Sequence, residues 1–488
     1  MQTSSKKGMR TVRDPNNAVK MAVLGLCTFL TAWGFNPSQV FAQSPALTKH
    51  LQRIIANDKT TGRKGVYARW LHGGRIYGYN MDTPITPASC LKILSTGVAL
   101  RHMGANYRFT TRLYGKYNKD SLETPLYWFG NGDPSITMNH LITWAKQLKA
   151  KGISKIPKGI VIDDTYFDQR KPAGFQLGYG NDGYLALPSP TTAEGNAITV
   201  TLEIKDNDVV ISCTPASSYY TCKSTVQIGT KENIHFVTET QNNVLHIKAR
   251  GTITLAEPKV VNRVRSFNSA RFAHALLVQV LKDNGFEVAE TFARGKTPSG
   301  TPELLTHTSD TLVELVKLTN RNSNNFYAEN ILKALGAIKS GEPGTTQKGL
   351  NAIYDFLVHA SVKRNTVILA NGSGLFGNSM ISPRSLANAM EQFATLPWLH
   401  TLLMDSLPAP GEGTLSKRLV GTAAADILRA KTGTMSNASC LAGYLTWKNK
   451  TILFAIMLDQ IKGDLQGARK FQDEVVVVLA KYLKNQQP

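Results

Sequence analysis

Apolar residues recur at i, i+3 and i+4 through residues 46–57 (ALTKHLQRIIAN), which predicts a helix. Two β-like runs follow at 65–71 and 75–79, on either side of His72-Gly73-Gly74, and predict a hairpin. Pro87 then precedes a helical pattern over 88–103, a residue suited to a helix start. The middle of the chain changes character. Strand-like segments stand at 109–114, 126–129, 159–162, 198–204, 208–213, 225–229, 234–239 and 244–255. Helical patterns within that stretch are confined to 138–151 and 269–284. From about residue 305 helices return, at 311–319, 325–335, 346–360 and 383–393. Strands at 430–434, 440–447 and 451–458 precede a closing helix over 467–483. The apolar stripe of that helix (Val475, Val478, Leu479, Leu483) is narrow, which predicts packing on the sheet rather than on a membrane surface.

Composition narrows the class. The chain has 488 residues, 42% of them hydrophobic and 18% charged, enough apolar side chain for real cores and too much for wholesale disorder. No repeat of roughly 20–50 residues recurs. The charge is +22, which raises nucleic acid as a partner, yet the chain carries no recognition motif for it.

The N-terminus bears on the meaning of that charge. Lys6, Lys7, Arg10, Arg13 and Lys20 precede an uncharged apolar run at 21–35, and Val40-Phe41-Ala42 places small residues before Gln43. This is the layout of a secretory signal cleaved near Ala42, and the run is shorter than the ~20 residues a membrane span requires. Export to the periplasm, with no stable membrane anchor and no nucleic-acid partner, is the expectation. Removing residues 1–42 takes five positive charges and one negative from +22, leaving +18. Four cysteines then remain: Cys90, Cys213, Cys222 and Cys440. An even count in an exported chain fits disulfides, and free buried thiols fit as well. With no CxxC pair or nearby histidine cluster, neither metal nor cofactor is expected.

Three short motifs carry candidate chemistry. Ser89-Cys90-Leu91-Lys92 is S-x-x-K at a helix start, where i and i+3 share one face and the amine can approach the hydroxyl. A serine needs such a base, and an amine that is partly desolvated can serve as one. The pattern alone is weak, since Ser4-Ser5-Lys6-Lys7 repeats it. Lys431-Thr432-Gly433 lies on a predicted strand, where glycine allows close backbone approach and the lysine and threonine suit an anion. Ser323-Asn324-Asn325 supplies S-x-N between two predicted helices. Ser266-Phe267-Asn268 repeats that pattern, but follows a strand-like stretch.

In this order and in these contexts the three motifs resemble the signature of serine penicillin-binding proteins and β-lactamases. Further segments extend the likeness: Asn371-Gly372-Ser373-Gly374-Leu375, the run LPAPGEGTLSKR from Leu407, Gly132-Asp133-Pro134, and residues 161–168 (VIDDTYFD). Together they resemble the class C low-molecular-mass penicillin-binding proteins, a D-alanyl-D-alanine carboxypeptidase/endopeptidase family, over nearly the whole mature chain. The 234 residues between Ser89 and Ser323 fit that group, in which extra domains separate the first two motifs.

The resemblance implies an α/β (α+β) catalytic domain like that of serine β-lactamases and transpeptidases, an antiparallel sheet with helices on both faces. The catalytic domain would comprise 43–112 and 296–488, with 113–295 inserted as two small β-rich domains. Ser89 would be the acylated nucleophile, Lys92 its base, and Ser323 the proton carrier to the departing amine. Asn325 would bind the substrate amide, Lys431 would set the field, and Thr432 and Thr434 would bind the terminal carboxylate. Asp163, or its neighbour Asp164, would bind a side-chain amine of the substrate. Peptidoglycan stem peptides and cross-bridges are the implied substrates, and β-lactam antibiotics the implied covalent ligands. A β-lactamase of the same fold, and an inactive wall-binding protein, are the competing readings. A Cys90–Cys440 disulfide and two free thiols are both compatible with the sequence.

Overall fold

The computed structural model describes residues 44–175, 180–377 and 379–486, so the expected signal segment lies outside the described residues. A five-stranded antiparallel sheet forms the base of the catalytic part. Its strand order is Arg75–Tyr79, Arg63–Trp70, Lys450–Asp459, Ala438–Trp447, Leu428–Met435. The predicted hairpin therefore sits beside the last strand of the chain, in register from Arg63 opposite Asp459 to Trp70 opposite Ile452. Asp459 fixes that junction. Its buried carboxylate accepts from the Arg63 guanidinium (2.8 and 2.6 Å) and from the Thr86 N–H (3.0 Å), just ahead of the nucleophile turn.

The two central strands read as nearly continuous apolar runs, and residues 438–445 and 452–459 are all buried. Strands covered on both faces require such a run. Helices supply the cover. Leu465–Lys484 lies on the sheet through Phe471, Val475, Val476 and Leu479, and its Gln472 donates to Ser439 Oγ at 3.1 Å. Pro383–Phe393 packs on strands Lys450–Asp459 and Arg63–Trp70. Lys92–Met103, Asn325–Ser340 and Thr346–His359 share one core, in which Phe356 and Phe393 stack at 4.3 Å.

The inserted region contains a second five-stranded sheet, in the order Phe292–Arg294, Ile160–Asp163, Leu126–Gly130, Arg108–Tyr114, Glu303–Thr311. Helices Met138–Ala150 and Ser269–Asp283 share its core. Glu303–Thr311 pairs antiparallel with Arg108–Tyr114. The expected bounds of the insertion, 113 and 295, fall within this sheet, near the end of Arg108–Tyr114 and just after Phe292–Arg294.

Further out, two three-stranded sheets enclose a small core of Leu202, Val226, Ala249 and Ile253. Cys213 and Cys222 form a disulfide between strands Asp208–Thr214 and Tyr220–Ile228. Among the described residues, no helix is long and apolar enough to cross a membrane.

Candidate active site

The nucleophile turn begins with Pro87. Residues Ala88–Leu91 form a short 3₁₀ turn that continues as the α-helix Lys92–Met103, rather than the single helix expected over 88–103. Ala88 holds φ at 44° and Ser323, which opens the second motif, at 55°. Left-handed backbone at non-glycine residues costs on the order of 1–3 kcal/mol and collects at functional sites.

Lys92 is fully buried. Its Nζ lies 2.9 Å from Ser89 Oγ, 2.7 Å from Asn325 Oδ1 and 2.9 Å from the Ser373 carbonyl. Burial drives its pKa well below the ordinary lysine range, the positive charge of Lys431 adds to that shift, and Glu329 opposes it. A neutral amine has two hydrogens and one lone pair. Asn325 Oδ1 and the Ser373 carbonyl can only accept, so they take both hydrogens. The lone pair is then left for the Ser89 hydroxyl, the geometry a general base requires.

Strand Leu428–Met435 brings the third motif alongside. A Cβ at Gly433 would stand 2.6 Å from the Pro87 carbonyl oxygen and 3.0 Å from the Ser89 nitrogen. Only glycine permits this approach. Lys431 is buried, and burial lowers its pKa to about 8. Its Nζ donates to the Thr432 carbonyl at 2.9 Å. Thr432 Oγ1 donates to Thr414 Oγ1 at 2.7 Å, and Thr434 is exposed. Thr414 belongs to the LPAPGEGTLSKR segment, which the Ala430 N–H to Pro408 carbonyl bond (3.1 Å) holds beside the strand.

The Asn371–Leu375 segment forms the other wall. Gly374 takes φ 78°, and a Cβ there would meet the Ala88 carbonyl oxygen at 1.9 Å. Ser95 Oγ donates to the Gly372 carbonyl at 2.7 Å, tying the segment to the nucleophile helix.

Ser323 and Asn325 open onto a cleft of about 490 Å³ that the insertion also lines, through Tyr184 and Arg263. Asn325 Nδ2 donates to the Tyr184 carbonyl at 3.2 Å, so the second motif touches both the base and the insertion. The competing Ser266 is 1% exposed, and Asn268 caps helix Ser269–Asp283 by accepting from the Arg271 N–H. That second S-x-N is a helix cap.

Asp163 is not brought into this group. It is 2% exposed, and its carboxylate accepts from Thr165 (N–H and hydroxyl) on one oxygen and from the Thr297 N–H (2.7 Å) on the other. Asp164 is ion-paired with Arg294. These contacts hold the Asp163 carboxylate in a turn. The insertion reaches the cleft instead at Tyr184, next to the partly exposed Asp182 loop. Cys90 and Cys440 are free buried thiols. Cys90 donates to the Lys431 carbonyl at 3.1 Å and Cys440 to the Thr86 carbonyl at 3.0 Å.

Sequence reasoning passed over Glu329, whose carboxylate is fully buried beside the site. A signal was present, since it is the one acid in helix Asn325–Ser340, four residues beyond Asn325. Among the described residues, no group of three or more His, Cys, Asp or Glu could hold a metal ion.

Comparison with known proteins agrees with this geometry. The profile of the D-Ala-D-Ala carboxypeptidase 3 (S13) family matches residues 47–482. A D-alanyl-D-alanine carboxypeptidase of Actinomadura sp. is 28% identical over 91% of this chain and 84% of its own length. The D-alanyl-D-alanine carboxypeptidase DacB of Haemophilus influenzae is 25% identical over 81% of this chain and 85% of its own. The crystal structure of penicillin-binding protein 4 from Haemophilus influenzae superposes with a TM-score of 0.77 at 22% identity, covering 89% of this chain and 98% of that one, which shows a shared fold. Motif order, site geometry and a profile match from residue 47 to 482 converge: the chain belongs to the D-Ala-D-Ala carboxypeptidase 3 (S13) family.

Proposed function

We propose that the chain is an exported serine-type D-Ala-D-Ala carboxypeptidase that cleaves peptidoglycan stem peptides through an acyl-enzyme on Ser89. The contact that carries this reading is Lys92 Nζ, buried and 2.9 Å from Ser89 Oγ, with acceptors waiting for both of its hydrogens. In the first half-reaction Ser89 Oγ attacks the carbonyl carbon of the penultimate D-alanine, and its proton moves to Lys92. The N–H groups of Ser89 and Thr434 receive the oxyanion, a preorganised donor pair of the usual kind. The proton then passes through Ser323 to the departing D-alanine nitrogen as the amide bond breaks. Asn325 holds the substrate amide, while Lys431, Thr432 and Thr434 hold the terminal carboxylate. Water hydrolyses the ester in the second half-reaction.

A β-lactam presents the same carbonyl and a carboxylate, so it acylates the same oxygen. The open cleft beside Ser323 leaves room on the amine side of the scissile bond, which supports endopeptidase cleavage of D-alanyl cross-bridges by the same steps. The test is release of D-alanine from a peptide ending in D-Ala-D-Ala. Wild type releases it and Ser89→Ala does not; equal release by both overturns the reading.

A further inference from the structure

Helix Asn325–Ser340 presents three polar side chains along one face, at i, i+4 and i+8. Asn325 contacts the base, and Lys333 anchors the insertion through Asp168 (2.8 Å) and the Arg170 carbonyl (2.9 Å). Between them sits Glu329, to which the mechanism above gives no task.

We propose that Glu329 is a positioning residue for the acylation step, clamping the Gly372-Ser373 backbone so that the Ser373 carbonyl aims the Lys92 lone pair at Ser89. The inference rests on Lys92 being the base, as proposed above. The carboxylate accepts from the Gly372 N–H with both oxygens (3.1 Å each) and from the Ser373 N–H with one (2.8 Å). The Ser373 hydroxyl also bonds to it. The three backbone N–H contacts are all donors, so both oxygens are held as acceptors, as an ionised carboxylate allows; burial pushes the pKa of the group up, and these donors oppose that shift. One peptide unit further, the Ser373 carbonyl accepts from Lys92 Nζ at 2.9 Å. The Gly372 carbonyl meanwhile accepts from Ser95 Oγ of the nucleophile helix. The segment is thus fixed from the Glu329 side through its N–H groups, and its carbonyls fix the base on the other.

The same carboxylate contributes to the field at Lys92, opposing burial and the charge of Lys431. Burial, Lys431 and Glu329 act on that amine, with Cys90 as a weaker neighbour. Removing the negative charge therefore lowers the Lys92 pKa further.

The test is the second-order rate of acylation by a fluorescent penicillin from pH 4 to 10, for wild type, Glu329→Gln, Glu329→Asp and Lys92→Ala, each checked for folding by thermal unfolding. Glu329→Gln places an NH₂ against backbone N–H groups. Its plateau rate should fall about 10- to 100-fold, the scale of a small misplacement of reacting groups. Its acid limb should move to lower pH, on the order of half a unit. Glu329→Asp keeps the charge and withdraws the carboxylate by one methylene, so its plateau falls while the limb stays. A reduced plateau with an unmoved limb in folded Glu329→Gln marks a merely structural residue and overturns the proposal. Should Glu329→Gln not fold, a wild-type plateau in Glu329→Asp overturns it. Lys92→Ala acylating like wild type would instead sink the assignment of the base, and is distinguishable from either outcome.

Discussion

At the scale of single residues, the site separates two lysines by environment. Both are fully buried, yet the proposed mechanism asks them for opposite charge states. Lys92 meets a hydroxyl and two acceptors and must be neutral to take a proton. Lys431 must keep its proton to attract a carboxylate, and its pKa of about 8 leaves that charge vulnerable. Raising the pH through that value removes the attraction, so kcat/KM for peptides ending in a free carboxylate should decline above about pH 8. A pH profile that stays flat to pH 10 would contradict this assignment. Lys92→Ala should lower the acylation rate about 10²- to 10⁴-fold, the usual worth of a general base, measured as penicillin labelling over time. Of these residues, Ser89, Lys92, Asn325 and Lys431 were legible in the sequence because short motifs fix their types and spacing. Glu329 stood out only as an acid in that helix; its task was hidden, because its partners are backbone N–H groups 43 and 44 residues away, which no local pattern records.

At the scale of elements, the active site is a meeting of backbones as much as of side chains. Strand Leu428–Met435 and the nucleophile turn approach so closely that a Cβ on Gly433 would press on the Pro87 carbonyl oxygen at 2.6 Å. Backbone on both sides leaves little room to yield. Gly433→Ala should therefore part the strand from the turn and slow acylation about 100-fold, while a circular dichroism spectrum stays that of the folded protein. Acylation at the wild-type rate would show the approach to be unimportant. Periodicity predicted most elements within two or three residues. The closing helix, for instance, was expected over 467–483 and runs Leu465–Lys484. It failed where the deciding interaction is remote. Strand Glu303–Thr311 (ELLTHTSDT) has a polar half, and only pairing with Arg108–Tyr114 makes it a strand. The 88–103 pattern likewise conceals the 3₁₀ turn, where Ala88 lies close against Gly374 and Gly433.

At the scale of the whole molecule, the chain divides labour between a rigid base and an appended insertion. The catalytic core ties the first and last strands together through Arg63 and Asp459, so residues nearly 400 apart fix the nucleophile turn. The insertion touches the site through a few polar contacts along helix Asn325–Ser340, and its outer sheets lie beyond them. The Cys213–Cys222 bridge belongs to those outer sheets. It closes a short loop worth about 2–3 kcal/mol in chain-entropy terms. Replacing both cysteines by serine should raise hydrogen exchange in residues 197–265 and leave penicillin labelling unchanged; lost labelling would mean that the outer sheets support the site directly. Whether thiols or a disulfide lie behind the nucleophile was not legible in the sequence. The carbonyl partners of Cys90 and Cys440 decide it, and those depend on the folded sheet. In the proposed mechanism Lys431 is the cation and Lys92 the neutral base, so the positive charge of the chain has no special place in the site; the surplus would suit the proposed export to a compartment of anionic polymer. In the proposed reaction Ser89 becomes covalently acylated. Intact-mass measurement after incubation with benzylpenicillin tests it most directly: one penicilloyl adduct on wild type, mapped to the peptide carrying Ser89 and missing from Ser89→Ala. No adduct on wild type, or an equal adduct on Ser89→Ala, would contradict the account.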